Sequence, residues 1–231
     1  MVRAENIVKI FRTEEVETLA LNAISFSVEK GEFLAIMGPS GCGKSTLLNV
    51  IGLLDSPTKG RLFYNGTDVS GFGEMQQTRF RKGKIGFVFQ SFNLINELNV
   101  YDNIELPLLY LRIPATERSN RVKEVLNKMQ MEHRERHYPQ QLSGGQQQRV
   151  AVGRAIVANP QLILADEPTG NLDSENGLEV MKILSDLNQE GTTIVMVTHA
   201  QEYAEMAGRI IHLLDGNIIS QDYMQHTSMT T

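Results

Sequence analysis

Short apolar runs in the first part of the chain are typical of β-strands. The run Phe33–Met37 is compact and wholly apolar, as expected for a strand buried on both faces, and it leads directly into a glycine-rich stretch. A helical pattern over Lys44–Leu54 follows that stretch. Turn residues bracket the other predicted strands of this part, which are Ile7–Phe11, Leu21–Val28, Arg61–Tyr64 and Ile85–Gln90. The first part of the chain is therefore predicted to be mixed β.

The pattern changes between residues 91 and 141, where strand signals disappear. Apolar residues recur there at the spacing of one helix face, at Val122, Val125, Leu126 and Met129. We therefore expect a helical lobe in this region.

Helices and strands alternate in the rest of the chain, which is typical of a parallel sheet. The predicted elements are a helix from about Gly144, a strand over Leu162–Ala165, a helix over Ser174–Glu190, a strand over Thr193–Val197, and a hairpin of Ile210–Leu214 and Asn217–Ile219. The polar residues 221–231 lack periodicity, and we expect them to form a frayed, flexible tail.

Charge and composition limit the partners and the cellular compartment that we expect for this protein. The 231 residues include 22 Lys and Arg and 27 Asp and Glu, a formal net charge of −5, which favours neither nucleic acid nor an anionic membrane as a general partner. Cys42 is the single cysteine, so no internal disulfide can form, and the charged N-terminus is unlike a signal peptide. Both features fit a reducing cytosol. The apolar runs fall short of the roughly 18 residues that a membrane-spanning helix needs, so we expect any membrane association to depend on another chain.

The stretch GPSGCGKS, from Gly38 to Ser45, has the phosphate-binding pattern G-x-x-x-x-G-K followed by Ser or Thr, between a predicted strand and a predicted helix. Its glycines let backbone N–H groups surround a phosphate, Lys44 reaches phosphate oxygens as a compact charge, and the Ser45 hydroxyl can ligate Mg²⁺. Thr46 is expected near the α-phosphate. Cys42 occupies a variable position, where a small residue is tolerated. The alternative is a glycine-rich turn that only links the strand to the helix.

Two acids end the predicted strand in LILADE, and ligands of open α/β sheets bind at strand ends of this kind. Asp166 is placed to hold a Mg²⁺ shell, and Glu167 is the candidate that orients and polarises an attacking water. The alternative is that both acids cap the following Pro-Thr-Gly turn.

Gln90 and His199 also lie at the ends of predicted strands. Neither is a strong signal alone, because a glutamine there is usually only solvated and a histidine there is more often structural. Together with the acids they predict a ring of polar groups at the carboxyl edge of one sheet, where a γ-phosphate would lie.

A second anion site is predicted where LSGGQQQRVAVGRAI begins a helix. Ser143, Gly144 and Gly145 precede strong helix formers, and such a helix start presents unpaired backbone N–H groups with the positive end of the helix dipole behind them. Gly153, later in the same helix, lowers helix propensity by about 1 kcal/mol and is expected to permit close packing.

These motifs occur in an order and spacing that resemble those of ATP-binding-cassette ATPases. The segments that carry the resemblance are GPSGCGKST, FVFQ, LSGGQQQR, LILADEPTGNLD and the histidine of VMVTHA, and the match covers nearly all of the chain. It implies an α/β P-loop NTPase fold with a RecA-like core, an antiparallel β subdomain and an inserted helical subdomain. The implied single domain comprises a nucleotide-binding core of residues 1–90 and 158–220, a helical subdomain of residues 91–157, and the tail.

The resemblance also implies ATP and Mg²⁺ as cofactors and an ATP-dependent homodimer. In this family two cassettes pack head to tail, so that the LSGGQ segment of one chain faces the ATP held by its partner. Phe11 resembles the residue that stacks on adenine, although an ordinary core phenylalanine is the alternative. The implied catalytic residues are Glu167, His199 and Gln90, and the implied metal ligands are Ser45, Gln90 and Asp166. The implied ATP-binding residues are Phe11, Gly38, Ser40, Gly41, Cys42, Gly43, Lys44, Ser45 and Thr46, and the implied contacts to the partner's ATP are Ser143, Gly144, Gly145, Gln146 and Asp173.

Within the family, the segments GFVFQSFNLINELNVYDNIELPLL and IGLLDSPTKG are similar to the lipoprotein-release and macrolide-export group. This similarity implies ATP hydrolysis coupled to export or release, at the cytoplasmic face of the cell membrane. Because the chain stops after the predicted hairpin, we expect separate transmembrane permease subunits as partners, and no nucleic acid. The alternatives are a cassette ATPase coupled to another process, such as DNA repair or translation, and a cassette that binds ATP without turnover.

Overall fold

The computed structural model describes residues 1–12 and 16–223. The chain forms two compact units, one of residues 1–81 with the residues from 193 onward, and the other of residues 82–192. The predicted division into a core and a helical subdomain stays a prediction. None of the described helices has the length and apolarity that crossing a membrane requires.

The first unit contains an antiparallel sheet with the strand order β2-β1-β4-β5. Its strands are β1 (Val2–Arg12), β2 (Glu17–Val28), β4 (Lys59–Tyr64) and β5 (Thr67–Asp68). Register shifts interrupt both pairings of β1, which is where the strand bends. The predicted strands of this region are confirmed, and β1 begins five residues before the predicted Ile7.

Among its described residues, the first unit also contains four strands of a mixed sheet, and the glycine-rich loop follows one of them, β3 (Phe33–Met37). The strands β3 (Phe33–Met37), β8 (Thr193–Thr198), β9 (Arg209–Leu214) and β10 (Asn217–Tyr223) follow the order β10-β9-β3-β8. β3 runs parallel to both β8 and β9, which confirms the predicted parallel pairing. Every residue of β3 and β8 is buried, because parallel strands of this kind are covered on both faces.

The end of the chain differs in part from its predicted form. β10 pairs with β9 as far as Tyr223, so the flexible tail predicted from residue 221 is wrong for residues 221–223. The ladder of backbone hydrogen bonds to β9 orders these polar residues, although their sequence has no periodicity. The remaining residues of the predicted tail, 224–231, lie outside the described part of the chain.

The helices in the described residues of the first unit are α1 (Lys44–Ile51), α2 (Glu74–Arg81) and α7 (Gln201–Ala204). α1 ends before the predicted Leu54, because the chain leaves the helix at Gly52 and Leu53 is left-handed, with φ 55°. The sequence does not predict α2. Its only buried residue is Gln77, so it lacks the apolar face from which helices are recognised.

The second unit contains the predicted helical region. Its strands β6 (Ile85–Phe89) and β7 (Leu162–Asp166) are parallel, and its helices are α3 (Val100–Tyr110), α4 (Ala115–Lys128), α5 (Gly144–Ile156) and α6 (Ser174–Gln189). No strand lies between residues 90 and 161, all of which the structure describes, so the predicted helical structure of residues 91–141 is confirmed.

Helix α5 packs closely against its neighbours at two glycines. A Cβ at Gly153 would lie 3.0 Å from Val125 and 3.3 Å from Ile104 and Met129, so the expected close packing is confirmed. Gly86 of β6 is closer still, because a Cβ there would lie 2.5 Å from the backbone oxygen of Ala155. These contacts fix α5 against α3, α4 and β6.

We expect Gly86→Ala to lower the free energy of unfolding, because the added Cβ would force β6 and α5 apart. Overpacking of this kind costs roughly 1–3 kcal/mol. Urea unfolding measures the loss. Gly71→Ala is the control, since a Cβ at Gly71 would meet no atom within 4 Å, and a surface change of this kind stays within about 0.5 kcal/mol. Equal free energies of unfolding for the two variants would contradict the close packing of β6 on α5.

Candidate functional site

The glycine-rich loop joins the buried end of β3 to the start of α1. Gly43, the N-cap of α1, has φ 103° and makes no side-chain capping hydrogen bond, and the first turn of α1 carries no acid. The first N–H groups of a helix lack intrahelical partners and lie at the positive end of its dipole. This helix start therefore suits an anion, as the sequence predicts.

Backbone atoms of β9 and β2 pack against the glycine-rich loop. A Cβ at Gly38 would lie 2.1 Å from the carbonyl oxygen of Leu213, and one at Gly43 would lie 2.4 Å from the carbonyl oxygen of Ala20. Neither carbonyl is the end of a flexible side chain, so neither can move aside cheaply. Only glycine fits at these two positions without displacing the loop from β9 and β2.

The turn between β9 and β10 holds the loop from the same side. Its central residues, Asp215 and Gly216, both have positive φ, which is typical of a tight hairpin turn. Gly216 N–H donates to the carbonyl of Cys42 at 3.0 Å, and the Gly216 carbonyl accepts from Asn22 N–H at 2.8 Å. The Cys42 side chain is buried and its sulfur packs against Gly38, where a Cβ would lie 2.7 Å from it.

Lys44 is buried inside the loop that it follows. Its ammonium donates to the carbonyl oxygens of Gly38 at 2.8 Å and Pro39 at 2.9 Å. An ammonium has three donors, and two of them hold the loop in its curved form. The remaining predicted residues of this loop, Ser40, Gly41 and Ser45, are exposed, and Thr46 is half-buried.

His199 follows β8, the strand that pairs with β3. Met37 and Thr198 are register partners in the parallel pair β3–β8, so the glycine-rich loop and His199 both begin at the same edge of these strands. His199 is exposed. The first unit thus has the glycine-rich loop and His199 at the carboxyl ends of two neighbouring strands, as the sequence predicts.

Phe11 lies on β1, and the residue is 45% exposed. The alternative of an ordinary core phenylalanine is therefore wrong. The ammonium of Lys9 lies 5.0 Å from the centroid of the ring. An exposed aromatic face of this kind can stack on a planar base.

The second unit brings Gln90, Asp166 and Glu167 together. Phe89 and Asp166 are register partners in the parallel pair β6–β7, so Gln90 and Glu167 follow neighbouring strand ends. All three of these polar residues are half-buried. They lie at the carboxyl ends of β6 and β7, where the sequence predicts polar groups.

Asn171 fixes the orientation of Gln90, and the sequence analysis does not identify it. The Gln90 amide nitrogen donates to Asn171 Oδ1 at 3.2 Å, and Asn171 Nδ2 donates to the Gln90 carbonyl at 3.0 Å. Gly170 leaves room for this pair, because a Cβ there would lie 2.8 Å from Gln90 Nε2. The amide oxygen of Gln90 is therefore the atom suited to a cation.

Glu167 has a backbone conformation that is uncommon for its residue type. Its φ is 45°, in the left-handed region, and it precedes Pro168, although residues before proline favour extended backbone. Its carbonyl closes the Pro-Thr-Gly turn by accepting from Gly170 N–H at 3.0 Å. Strained residues of this kind persist where the surrounding structure enforces them, and they cluster at functional sites.

The start of α5 offers fewer free donors than the sequence predicts. Ser143 and Gln146 form a capping box, in which Ser143 Oγ accepts from Gln146 N–H at 3.3 Å and Gln146 Oε1 accepts from Ser143 N–H at 3.1 Å. The prediction of unpaired N–H groups is therefore wrong for Gln146, because a neighbouring side chain on the same turn satisfies it. Ser143 keeps its hydroxyl hydrogen for another acceptor.

Asn176 connects Asp173 to the start of α5, because it is hydrogen-bonded to Asp173 and packs against Gly145. Asp173 is the N-cap of α6, and its carboxylate accepts from the backbone N–H and the side-chain amide of Asn176 at 2.9 and 2.7 Å. These hydrogen bonds lower the pKa of Asp173, so its exposed carboxylate is charged at neutral pH. A Cβ at Gly145 would lie 2.0 Å from Asn176 Oδ1, so the absence of a side chain at Gly145 makes room on α5 for the Asn176 side chain of α6.

Arg154, like Asn171, has a structural role that its sequence pattern does not indicate. Its guanidinium donates to the carbonyls of Asn93 at 2.6 Å and Phe92 at 2.9 Å, and burial lowers its pKa. Phe92 and Asn93 are both left-handed, with φ 61° and 50°. Arg154 thus ties α5 to the turn that follows Gln90, and no local pattern around Arg154 indicates this contact.

Comparisons with known sequences agree on one family. The family model described as ABC transporter matches residues 21–170. The uncharacterized ABC transporter ATP-binding protein MJ1508 of Methanocaldococcus jannaschii is 50% identical over 219 residues, which cover 95% of this chain and 98% of that protein. The macrolide export ATP-binding/permease protein MacB of Azoarcus sp. is 46% identical over 220 residues, and the match covers 95% of this chain but 34% of MacB.

Solved structures confirm the predicted cassette fold. The dimeric post-hydrolysis state of the ATP-binding cassette MJ0796 of M. jannaschii, bound to ADP and Pi, has a TM-score of 0.91 at 43% identity and covers 97% of this chain and 99% of that chain. The structure of cbiO1 from Clostridium perfringens, part of the ABC transporter complex cbiONQ, has a TM-score of 0.85 at 28% identity, with 96% of this chain and 88% of that chain covered.

We expect Lys44→Ala to weaken ATP binding, because it removes the one buried ammonium of the glycine-rich loop. Charge-assisted hydrogen bonds contribute roughly 1.5–3 kcal/mol, which corresponds to about a tenfold to hundredfold rise in Kd. Titration with a fluorescent ATP analogue measures the change. Lys30→Ala, in an exposed turn of the same unit, is the matched control. An unchanged Kd for Lys44→Ala, in a protein that melts normally, would contradict the role of this ammonium.

Proposed function

The chain belongs to the ABC transporter family, and we propose that it is the ATP-hydrolysing subunit that drives a separate transmembrane permease. The observation that carries the proposal is that one chain contains two helix starts of a kind that suits an anion, the start of α1 after the glycine-rich loop and the start of α5 at Ser143–Gly145. Two copies packed head to tail pair each loop with the partner's helix start. ATP then joins two surfaces, which separate once the γ-phosphate is lost.

The glycine-rich loop binds the phosphates of ATP in this proposal. Backbone N–H groups of residues 38–43 surround the β-phosphate, and Lys44 binds oxygens of the β- and γ-phosphates. Thr46 lies near the α-phosphate, and His199 contacts the γ-phosphate. The exposed ring of Phe11 stacks on the adenine, and its 45% exposure supports that role.

Glu167 orients and polarises the attacking water. Phosphoryl transfer depends mainly on positioning and charge stabilisation, so a carboxylate held in one orientation is what the reaction needs. The left-handed backbone of Glu167 supports this assignment, because strain of this kind is retained at functional positions.

The donor atoms of Ser45, Asp166 and Gln90 fit Mg²⁺, which prefers oxygen ligands and takes few of them from the protein. The Ser45 hydroxyl, the Asp166 carboxylate and the Gln90 amide oxygen are the ligands that we propose. The Asn171 contact supports the choice of atom in Gln90, because it engages the amide nitrogen. Bound Mg²⁺ supplies neutralisation of the charge on the phosphates.

The proposed dimer explains the segment from Ser143 to Gln146. Ser143, Gly144, Gly145 and Gln146 contact the γ-phosphate held by the partner chain, and the charged Asp173 lies at the same interface. The MJ0796 structure, which is dimeric and bound to ADP and Pi, supports dimer formation by a cassette of similar sequence.

Export, or release from the membrane, is the transport class that we propose. The support is the macrolide export name of the MacB relatives, which combine an ATP-binding region with a permease in one protein. MJ1508 matches this chain over 98% of its own length, and cbiO1 is one part of a larger transporter complex, which supports a permease on a separate chain. The protein then works at the cytoplasmic, inner face of the cell membrane, bound to that permease.

The permease contact that we propose is the loop after Gln90 together with α3. Ile95, Leu109 and Tyr110 are exposed apolar residues in this region, with 38%, 45% and 66% exposure. The fully buried Asn103 holds the loop in place, since its two amide hydrogens are shared among the carbonyls of Ile95, Leu98 and Asn99 and its Oδ1 accepts from Ile95 N–H at 2.9 Å. A short cytoplasmic helix of the permease fits such an apolar surface.

We expect Glu167→Gln to bind ATP, to hydrolyse it at least about a hundredfold more slowly, and to accumulate dimers. The variant removes the charge that polarises the water but leaves both anion sites intact. Gel filtration with ATP and Mg²⁺ measures dimer formation, and phosphate release measures turnover. Glu124→Gln, on the exposed face of α4, is the control. A Glu167→Gln protein that stays monomeric with saturating ATP would contradict the proposed mechanism.

Reversing the charge of Glu97 is expected to weaken binding to the permease and to uncouple transport. Glu97 is exposed in the loop that Asn103 holds, so Glu97→Lys leaves the fold intact. Asp102 is a less clean site, because it lies in the first turn of α3, where an acid also stabilises the helix. Co-purification with the permease measures the effect, and Glu124→Lys is the matched reversal on α4. If Glu97→Lys and Glu124→Lys recover equal amounts of permease, the proposed contact at the loop after Gln90 is contradicted.

A further inference from the structure

Gln148 is a buried polar residue that has no part in the nucleotide, metal, dimer or permease contacts that we propose. It lies on α5, is completely buried, and donates from Nε2 to the carbonyl of Pro168 at 2.6 Å. A carbonyl can only accept, so the nitrogen of the amide must face it. Among the residues that the structure describes, the other amide atom, Oε1, has no hydrogen-bond partner although it is buried.

An amide in this position is unfavourable for stability alone. A buried acceptor without a partner costs at least as much free energy as one neutral hydrogen bond contributes. A methionine of similar length would fill the same space without the unpaired oxygen, and the only hydrogen bond that it would remove is the one to the Pro168 carbonyl. Gln148 is therefore best explained by what its single hydrogen bond does to Pro168.

Pro168 follows the strained residue Glu167. The left-handed φ of Glu167 is rare for a non-glycine residue and unfavourable before a proline, so contacts must enforce it. Two hydrogen bonds act on this turn. Gly170 N–H binds the carbonyl of Glu167, and Gln148 binds the carbonyl of the next residue, Pro168. The backbone on the C-terminal side of Glu167 is thus held at two successive carbonyls.

We propose that Gln148 is a positioning residue for the hydrolytic carboxylate: its amide holds the Pro168 carbonyl and so keeps Glu167 in its left-handed conformation. This inference rests on the proposed function, in which Glu167 orients the attacking water. Without the amide, the peptide group after Pro168 can rotate, Glu167 can relax towards extended backbone, and its carboxylate turns away from the water. The helix whose start contacts the partner's ATP thereby also holds the hydrolytic group of its own chain.

The test is Gln148→Met, which keeps the length of the side chain but removes the donor. We expect kcat for ATP hydrolysis to fall between about tenfold and a hundredfold, because a misplacement of about 1 Å costs that much. The Kd for ATP is expected to stay unchanged, since Gln148 does not touch the Lys44 loop. Dimers with ATP are expected to accumulate in gel filtration, as for Glu167→Gln.

Gln77→Met is the matched control. Gln77 is also a buried helical glutamine, with Nε2 donating to Ser56 Oγ at 2.8 Å, and it lies outside the proposed machinery. We expect both variants to change the melting temperature but only Gln148→Met to change kcat. A folded Gln148→Met protein with wild-type kcat, or with no larger loss of kcat than Gln77→Met, would overturn the proposal.

Two further outcomes are decisive. If Gln148→Met does not fold, Gln148→Asn is measured in the same way, because its amide is too short to reach Pro168 but keeps its polarity. Failure of both variants to fold assigns Gln148 to core packing and overturns the positioning role. Absence of ATPase activity in the wild-type protein would instead contradict the proposed function itself.

Discussion

The strands that lead to this site are buried on both faces, and this burial decides where polar groups can lie. All residues of β3 and β8 and the first four of β7 are buried. A charged side chain within these strands would lose its hydration without gaining a partner. Polar chemistry therefore begins where the strands end, with the glycine-rich loop after β3, His199 after β8, and Asp166 and Glu167 at the end of β7.

Close approach of main chain then determines how these strand ends are held. Gly38 and Gly43 admit carbonyls of neighbouring strands, and Gly216 closes the hydrogen-bonded link from the loop to β2. In the second unit, Gly145 admits the Asn176 side chain that orients Asp173. Backbone contacts are stiffer than side-chain contacts, so the loops are positioned before any ligand binds. This preorganisation suits a reaction that depends on placement more than on covalent chemistry.

Helix α5 connects several parts of the proposed mechanism within the second unit. Its start carries the Ser143 capping box, Gln148 reaches the backbone beside Glu167, and Arg154 holds the turn after Gln90. In the proposed dimer, the start of this helix meets the nucleotide bound by the partner chain. A displacement of α5 on dimer closure would therefore reach both the hydrolytic carboxylate and the loop that we assign to permease docking, through hydrogen bonds rather than through a long pathway.

The sequence by itself determined the alternation of strands and helices, the phosphate-binding loop, the acids at the end of β7 and the cassette family. These features depend on composition and spacing within short segments, where hydrophobic periodicity and turn residues indicate the local structure. Only the tertiary structure decided that Phe11 is exposed, that Gln146 N–H is capped, that residues 221–223 extend a strand, and that Glu167 is left-handed. The same is true of Gln148 and Arg154, whose partners lie 20 and 61 residues away. The physical reason is that a hydrogen bond to a distant carbonyl leaves no local pattern, because it depends on which segments the packing of the core brings together.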